Sequence, residues 1–379
     1  MIKLLFATIA AGGGHVASAK AMMQALETHY PRQFEMEMSD YMLAVGDVDF
    51  DRQHKDSWRW ALKYPLSARL GQRLIDFLPQ VSINIQRQLL KPFAKLAYQD
   101  LLNRGEARPQ LIISNHGLVT TGLALAKKHH GEAIPPVLTF ATETHNISAY
   151  WADNWADHIL VPNEGIWRIL KNMGVEAKRM SITGYPVQQA FLKASLKSEA
   201  RKALDLEGQG LFCLISLGGE GIGHAPDSLI EGLLNHPKIG KLIIIAGRND
   251  LLKEHLAKHY AYHEKVYIQG FTDKMATFLA AADVIIGKCG VAAAYEALAV
   301  GRPILVTSYA GLNEKGVLDF LIAEGLGYYL PQEQELLDVL ATYDEESLAE
   351  VSKRALALDL VGQTERVARA IANYAEQVV

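Results

Sequence analysis

The sequence has too few cysteines for a disulfide framework, since 379 residues include only Cys213 and Cys289. Chains with so little cysteine are typical of reducing compartments, so we expect a cytoplasmic protein. The sequence also lacks an apolar run of the ~20 residues that a membrane-spanning helix needs. Its net charge is only −4, which gives no reason to expect general nucleic-acid binding. The apolar start, residues 1–9, is short for a signal peptide and runs into glycines, so it predicts a buried first strand.

Short apolar runs rich in β-branched residues alternate with longer helical patterns. The runs cover residues 2–9, 111–114, 137–141, 158–161, 180–183, 211–217, 242–246, 266–268, 284–286 and 304–307. Strands buried on both faces read as continuous apolar runs, and their alternation with helices indicates parallel sheets. The pattern of strand, glycine loop and helix at the start is repeated from Leu211. The sequence therefore predicts an α/β protein with two Rossmann-like, doubly wound parallel-sheet domains that face each other across a cleft.

Three segments follow from this pattern. Residues 1–186 form a predicted first domain, and residues 187–355 form a predicted second domain. The terminal helix, 356–379, is expected to dock back on the first domain.

Segment 47–104 interrupts the alternation and reads as helices. Residues 50–104 contain ten Lys or Arg but four Asp or Glu, in a chain that is acidic overall. A basic amphipathic surface that carries tryptophans can lie on an anionic membrane. A solvated helical insertion whose aromatic residues pack on the first domain explains the pattern equally well. The residues predicted for acceptor or membrane contact are Trp58, Arg59, Trp60, Lys63, Arg69 and His116.

The first glycine loop, Gly12-Gly13-Gly14-His15-Val16-Ala17, lies between a predicted strand and a helix. Glycines let a ligand approach the backbone, and the amides at a helix start attract anions. His15 is a candidate general base because a neutral imidazole accepts a hydroxyl proton near pH 7. The loop also satisfies G-x-G-x-x-A, so an NAD-dependent oxidoreductase with Glu35 or Glu37 as the ribose-binding acid is an alternative.

Two motifs of the second domain suit a nucleotide. Four glycines lie between Gly218 and Gly223, more than a simple turn requires. The stretch from Asp283 to Gly290 forms a strand and turn ahead of a helix that contains Glu296. Amides at this turn can bind a diphosphate, and a carboxylate one or two turns into the helix can accept both ribose hydroxyls. No His/Cys cluster with ligand spacing occurs, so we expect no metal and no other cofactor.

The sequence resembles the monogalactosyldiacylglycerol synthase family of lipid glycosyltransferases, and beyond it the bacterial diacylglycerol glucosyltransferases and the peptidoglycan N-acetylglucosaminyltransferase. The resemblance rests on the stretches GGGHVASA, LGGEGIG, AGRNDLLKEHL, GFTDKM and ADVIIGKCGVAAAYEALAVGRPILV. It implies a GT-B fold, an inverting reaction, a UDP-sugar donor held mainly by the second domain, and a diacylglycerol-like acceptor presented from a membrane. The protein is then peripheral on the inner face of the cell membrane.

The resemblance also implies site residues. His15 is the first candidate for the catalytic base, and Glu143 is the alternative. The predicted UDP-sugar site comprises Gly13, Gly14, Gly218, Gly219, Glu220, Gly221, Arg248, Phe271, Lys288, Gly290, Val291, Glu296, Asn313 and Glu314. The family's sugar loop, Gly-Gln-Glu-x-Gly-Asn, is altered here to Gly311-Leu312-Asn313-Glu314-Lys315-Gly316-Val317, which leaves the sugar open. Its Thr-Asp and His-Pro pairs appear as Thr142-Glu143 and His116-Gly117.

The predicted function is therefore transfer of a hexose from a UDP-sugar to a lipid acceptor. The alternatives are a non-catalytic relative of the same fold, a UDP-sugar epimerase, a glycosyltransferase with a non-lipid acceptor and, last, the NAD-dependent oxidoreductase.

Overall fold

The structure, a computed structural model, describes residues 1–10, 13–218, 221 and 225–379. The chain divides into two compact units. Unit 1 comprises Met1–Gln188, Ala310–Gly316 and Leu360–Val379, and unit 2 comprises Gln189–Tyr309 and Val317–Asp359.

Within the described residues, unit 1 is built on a sheet of six parallel strands in the order β2-β1-β3-β4-β5-β6. They are β1 (Ile2–Thr8), β2 (Phe34–Asp40), β3 (Leu111–Ser114), β4 (Val137–Phe140), β5 (His158–Val161) and β6 (Met180–Ile182). The helices are α1 (Gly13–His29), α2 (Tyr41–Ala44), α3 (Val48–Lys63), α4 (Pro65–Phe77), α5 (Pro79–Leu89), α6 (Lys91–Asn103), α7 (Gly117–His130) and α8 (Glu164–Asn172). Both faces of the central strands are buried, which explains their continuous apolar runs.

The described part of unit 2 contains a second sheet of six parallel strands in the order β12-β11-β10-β7-β8-β9. They are β7 (Leu211–Ser216), β8 (Ile239–Ile245), β9 (Val266–Gln269), β10 (Val284–Lys288), β11 (Ile304–Ser308) and β12 (Gly327–Tyr329). Its helices are α9 (Gln189–Leu192), α10 (Lys197–Ala203), α11 (Asp227–Asn235), α12 (Asp250–Tyr260), α13 (Met275–Ala281), α14 (Val291–Ala299), α15 (Leu312–Ala323), α16 (Glu333–Thr342) and α17 (Glu345–Leu356). The first turn of α15 belongs to unit 1. The α/β class with two parallel sheets is confirmed.

The terminal helix α18 (Leu360–Val378) belongs to unit 1, where it packs against α1. The first turns of α18 also bind residues 185–187, near the end of the first stretch of unit 1. The side chain of Gln363 accepts a hydrogen bond from the Tyr185 amide at 2.9 Å, and the Thr364 hydroxyl accepts one from the Val187 amide at 3.0 Å.

The predicted helical insertion consists of α3 to α6. Proline starts α4 and α5, where its missing N–H is not needed and its fixed φ suits a helix. Apolar residues of α5 and α6, including Ile83, Phe93 and Leu101, are completely buried. Residues of α4 stay partly or fully exposed. The insertion therefore combines a packed part with an exposed amphipathic part.

Each sheet has a point at which the strand order reverses, and ligands of open α/β sheets bind at the carboxyl ends of the strands there. In unit 1 this point lies between β1 and β3, so the residues after these strands are Gly13 to His15 and Asn115 to His116. In unit 2 it lies between β7 and β10, next to Gly218 and Gly290.

Candidate active site

His15 lies in the first turn of α1, at the carboxyl end of β1. Its Nδ1 atom is 2.8 Å from the Asn115 carbonyl oxygen and 3.3 Å from the Thr142 hydroxyl. Because a carbonyl oxygen can only accept, Nδ1 carries the ring proton, and Nε2 keeps its lone pair. The Asn115 side chain donates in turn to the Ser18 hydroxyl at 3.0 Å. These contacts fix an imidazole that can accept a hydrogen bond or a proton at Nε2.

Two further histidine rings, those of His116 and His54, form a contiguous cluster with that of His15. The His116 ring centroid is 4.6 Å from that of His15, and the His54 ring meets His116 edge to face at 5.0 Å. Burial lowers the pKa of His15 and of His54 to about 4, and it also lowers the pKa of His116 well below its usual value. All three rings are therefore neutral at pH 7.

His54 was missed by the sequence reasoning, which considered α3 only through its tryptophans and basic residues. A signal was present: Asp51, His54, Lys55 and Trp58 follow the i, i+3, i+4, i+7 spacing of one helix face. Asp51 is buried and the other three are half-buried, so this face of α3 points into unit 1.

Glu143 follows β4 and lies on the same side of unit 1. Its Oε2 atom accepts a hydrogen bond from the Ser148 amide at 2.8 Å, and the Trp151 indole N–H also donates to the carboxyl group. Burial raises the pKa of Glu143 to about 7, against the effect of these hydrogen bonds. The Trp151 ring centroid is 6.4 Å from that of His15, so Trp151 links the two candidate bases.

Asp76 of α4 binds the turn that carries Glu143, which consists of residues 143–149. Asp76 Oδ1 accepts hydrogen bonds from the Ala149 amide at 2.7 Å and from the Ser148 hydroxyl at 3.1 Å. Burial raises the pKa of Asp76. The sequence reasoning also missed Asp76, since a lone acidic residue in a basic amphipathic helix carries no recognisable motif.

In unit 2 the glycine loop begins directly after β7. Gly218 and Gly221 have φ angles of 77° and 63°, in the region that favours glycine. A Cβ atom on Gly221 would lie 2.2 Å from the Ala246 carbonyl oxygen, and the Asn249 side chain donates to the Gly221 carbonyl at 3.0 Å. Both glycines are therefore required by the backbone itself. The predicted site residues Gly219 and Glu220, with Gly12 and Gly223 of the two loops, lie outside the described residues.

Arg248 and Phe271 are adjacent in unit 2. The guanidinium carbon of Arg248 lies 4.1 Å from the Phe271 ring centroid, and 56% of the phenylalanine is exposed. They follow β8 and β9, at the same edge of the sheet as the glycine loop. The pair offers a flat, partly cationic surface of the kind that stacks with a nucleobase.

The carboxyl end of β10 carries the second nucleotide motif. Lys288 is the last residue of this strand, Gly290 is the N-cap of α14, and Val291 is its first residue. Because glycine has no side chain to cap the helix, the first amides of α14 are available for an anion. Glu296 lies in the second turn of α14, and burial raises its pKa to about 8. It is thus mostly protonated at pH 7 in the free protein.

The predicted sugar loop packs within unit 1. Glu314 is buried, and its Oε2 atom accepts a hydrogen bond from the Ala310 amide at 2.6 Å. One oxygen of the Glu314 carboxylate therefore orders the loop that also contains Asn313. The Leu312 amide donates to Gln72 Oε1 at 3.0 Å, and Arg69 Nε donates to the Ala310 carbonyl oxygen at 3.0 Å. Arg69, predicted for acceptor or membrane contact, thus binds the loop backbone.

Large apolar side chains are exposed on the insertion, among polar and charged residues. Half of Trp60 is exposed, whereas Trp58 is half-buried. The apolar residues on α4 are 78% (Leu66), 62% (Leu70), 68% (Leu74) and 79% (Phe77) exposed. Exposed basic residues lie close by in the sequence, namely Arg59, Lys63 and Arg73. Across the described ranges, no helix has the length and apolar character of a membrane-spanning segment.

Residues 15–187 match the family model of monogalactosyldiacylglycerol (MGDG) synthase, and residues 229–350 match that of the glycosyltransferase family 28 C-terminal domain. The chain is 27% identical to monogalactosyldiacylglycerol synthase 3, chloroplastic, of Arabidopsis thaliana over 371 residues, which covers 92% of this chain and 76% of that protein.

Two solved structures resemble the whole chain. Os79 T291V from O. sativa in complex with UDP has a TM-score of 0.63 at 12% identity, with 100% of both chains covered. UDP-GlcNAc 2-epimerase from Neisseria meningitidis, bound to UDP-GlcNAc, has a TM-score of 0.59 at 12% identity, again with 100% of both chains covered. These likenesses show that the fold is GT-B, as the sequence resemblance implied. Since one of the two is an epimerase, the fold alone does not decide the reaction.

Proposed function

This chain is a homologue of the monogalactosyldiacylglycerol synthases, and we propose that it is an inverting glycosyltransferase that moves a hexose from a UDP-sugar to the hydroxyl of a diacylglycerol-like lipid. One observation carries the proposal most directly. In unit 2, the start of α14 offers a nucleotide motif at the point where the strand order reverses. In unit 1, the corresponding edge of the sheet offers two fixed proton acceptors, His15 and Glu143, and the exposed apolar side chains of α4 lie beside them.

The donor side of the proposal rests on unit 2. Arg248 and Phe271 offer a surface for the uracil, and the Glu296 carboxylate can accept two hydrogen bonds from the ribose hydroxyls. The amides at the start of α14, together with Lys288, suit the diphosphate. In this assignment each part of the nucleotide meets a group of matching polarity.

The chemistry requires a proton acceptor and stabilisation of the leaving group. As the lipid hydroxyl attacks the anomeric carbon, the bond from that carbon to the UDP oxygen breaks, through an oxocarbenium-like state. A general base works best when its pKa is close to the working pH, which favours Glu143 at about 7 over His15 at about 4. We assign proton transfer to Glu143 and orientation of the hydroxyl to Nε2 of His15.

The departing UDP carries the negative charge that develops in the reaction. Fixed amide dipoles at the start of α14 and the Lys288 ammonium can stabilise this charge directly. We therefore propose that transfer needs no metal ion. Addition of EDTA should leave the rate unchanged, whereas a metal-dependent enzyme would lose activity until a divalent cation is restored.

The acceptor side rests on the insertion. Four exposed apolar side chains on α4 lie beside basic residues, a combination that suits the headgroup region of an anionic bilayer. The acceptor itself is delivered by such a surface, since diacylglycerol resides in the bilayer. We propose that the protein acts as a peripheral protein on the inner, cytoplasmic face of the cell membrane, where UDP-sugars are available.

Product analysis tests the proposal. The protein is incubated with UDP-glucose, UDP-galactose or UDP-N-acetylglucosamine and diacylglycerol liposomes, and the lipids are identified by mass spectrometry. The proposal expects a monohexosyl diacylglycerol with one of these donors. A changed UDP-sugar without a new lipid would indicate an epimerase instead, and binding of UDP without any product would indicate a non-catalytic relative.

Two variants then separate the candidate bases. Glu143→Gln should lower kcat by about 100-fold or more, the usual contribution of a general base, with little change in UDP affinity. His15→Ala should also lower kcat, but its residual activity should keep the pH dependence that Glu143 imposes. If His15→Ala loses this pH dependence and Glu143→Gln retains it, the assignment is reversed.

A further inference from the structure

We propose that α4 is a positioning helix, with a polar face that holds the turn carrying Glu143 and the loop that starts α15, and an apolar face that rests on lipid. This inference builds on the proposed glycosyl transfer. It assigns Asp76, Gln72 and Arg69 a role that no sequence motif indicates, and it makes the reaction centre of unit 1 responsive to the membrane surface.

The polar contacts of α4 come from a single face. Arg69, Gln72 and Asp76 are spaced i, i+3, i+7, so their side chains leave the helix on the same side. Arg69 Nε donates to the Ala310 carbonyl oxygen at 3.0 Å, and Gln72 Oε1 accepts from the Leu312 amide at 3.0 Å. Both contacts are to backbone atoms, so they fix where this loop lies rather than recognise its side chains.

Asp76 acts one turn further along. It accepts hydrogen bonds from the Ala149 amide and the Ser148 hydroxyl, and the Ser148 amide donates to Glu143 Oε2 at 2.8 Å. The chain of contacts from α4 to the candidate base therefore has one intermediate residue. A shift of α4 would move this turn, and with it the donor that orients the Glu143 carboxyl group.

A second face of α4 is apolar and exposed. Leu66, Leu70, Leu74 and Phe77 follow the spacing i, i+4, i+8, i+11. None of the described residues of α4 is buried, so the polar contacts must provide much of the attachment of this helix to unit 1. Burial of its apolar face in the outer part of a bilayer would add a second attachment. Because lipid that binds only the docked helix stabilises that state, it also favours the ordered turn at Glu143.

Asp76 also influences Glu143 through its charge. The ionised Asp76 carboxylate adds to the effect of burial in raising the pKa of Glu143, and it raises the pKa of the Tyr150 phenol as well. The groups that face Asp76 are thus Glu143, Tyr150, the Ala149 amide and the Ser148 hydroxyl. Asp76→Asn removes the charge but keeps an oxygen that can accept these hydrogen bonds. Asp76→Ala removes both.

The decisive measurement is an NMR titration of Glu143 in side-chain-labelled full-length protein, with the signal assigned by its absence in Glu143→Gln. In Asp76→Asn, Glu143 should titrate at lower pH than in the wild type. In kinetics, the acid limb of kcat should move the same way, so that activity at pH 6 relative to pH 8 is higher in Asp76→Asn than in the wild type. Asp76→Ala should instead lower kcat across the whole pH range. Asp56→Asn, an exposed carboxyl on α3, is the matched control and should change neither property.

A second arm tests the lipid coupling. The wild type should show a higher kcat on diacylglycerol in liposomes than on a dispersed short-chain diacylglycerol, and Asp76→Ala should reduce this ratio to near one. An unchanged Glu143 titration in a folded Asp76→Asn variant, or an unchanged ratio in Asp76→Ala, would overturn the inference. Absence of any glycolipid from the wild type would refute the proposed function instead, while the NMR titration would still report on Asp76.

Discussion

Replacing Glu296 with glutamine should remove the pH dependence of UDP-sugar binding. Burial raises the pKa of this carboxyl to about 8, and the proposed contact with the ribose requires the carboxylate. With that pKa, about 1% of the free protein is ionised at pH 6, about 10% at pH 7 and about half at pH 8. The apparent Kd equals the intrinsic Kd divided by this fraction, so it should fall about fiftyfold from pH 6 to pH 8.

Isothermal titration calorimetry provides the assay. A UDP-sugar is a suitable ligand because its diphosphate is esterified at both ends and does not titrate between pH 6 and pH 8. At pH 7, binding should release about 0.9 proton, which is read from the enthalpy in buffers of different ionisation enthalpy. Glu296→Gln should bind more weakly at pH 8, with no such slope. Glu231→Gln, an exposed carboxyl on α11, is the matched control and should behave as the wild type.

The same carboxyl makes stability depend on pH in a defined direction. Its pKa is higher in the folded protein than the unfolded value of 4.5, so the folded state binds this proton more tightly. The resulting destabilisation is absent below pH 4.5 and grows as the pH rises to about 8. Glu296→Gln should therefore melt at a higher temperature than the wild type at pH 8, with the difference shrinking towards pH 5. A wild-type Kd that stays constant from pH 6 to pH 8, or a pH slope retained by Glu296→Gln, would refute this reasoning.

Three further predictions concern membrane contact and packing. Leu74→Glu places a charge on the apolar face of α4 and should reduce flotation with anionic liposomes at least tenfold. High salt should weaken the flotation of the wild type only in part. Equal flotation of the variant and the wild type would contradict the membrane assignment. Asp153→Ala leaves the buried Arg87 guanidinium without its ion-pair partner, so the free energy of unfolding in urea should fall by about 3–5 kcal/mol. A decrease below about 1 kcal/mol would show that Arg87 is solvated. Gly122→Ala would bring a Cβ atom to 2.2 Å from the Phe93 ring, so the free energy of unfolding should fall by about 1–3 kcal/mol and the melting temperature with it. An unchanged melting temperature would show that α6 and α7 can move apart without cost.

The sequence predicted ten of the described strands and missed β2 and β12, each of which lies at one edge of its sheet. β2 alternates apolar residues with Glu35 and Glu37, and β12 has only three residues, so neither forms a continuous apolar run. The oxidoreductase alternative used Glu37 as the acid that binds the ribose, and the structure places Glu37 within β2. Its carboxylate pairs with Arg104 at 2.8 Å.

The candidate site divides in the same way. Residues in a glycine-rich loop that follows a buried strand, such as His15 and Gly221, are recognisable because the strand, the glycines and the following helix mark the loop in the sequence. Residues that reach the site from another element, such as His54 and Asp76, carry no local motif. Their roles depend on how α3 and α4 pack against unit 1, which is a tertiary property. The raised pKa of Glu296 likewise depends on burial, and no sequence pattern reveals it.

The anomeric carbon of the lipid product tests the central claim most directly. The protein is supplied with a UDP-hexose labelled with ¹³C at this carbon and with diacylglycerol liposomes, and the extracted lipid is examined by NMR. The proposed function predicts that the label appears in a hexosyl diacylglycerol of inverted, β configuration, with one UDP released per lipid formed. Label that remains in a UDP-sugar or appears as free hexose, with the lipid fraction unlabelled, would contradict it.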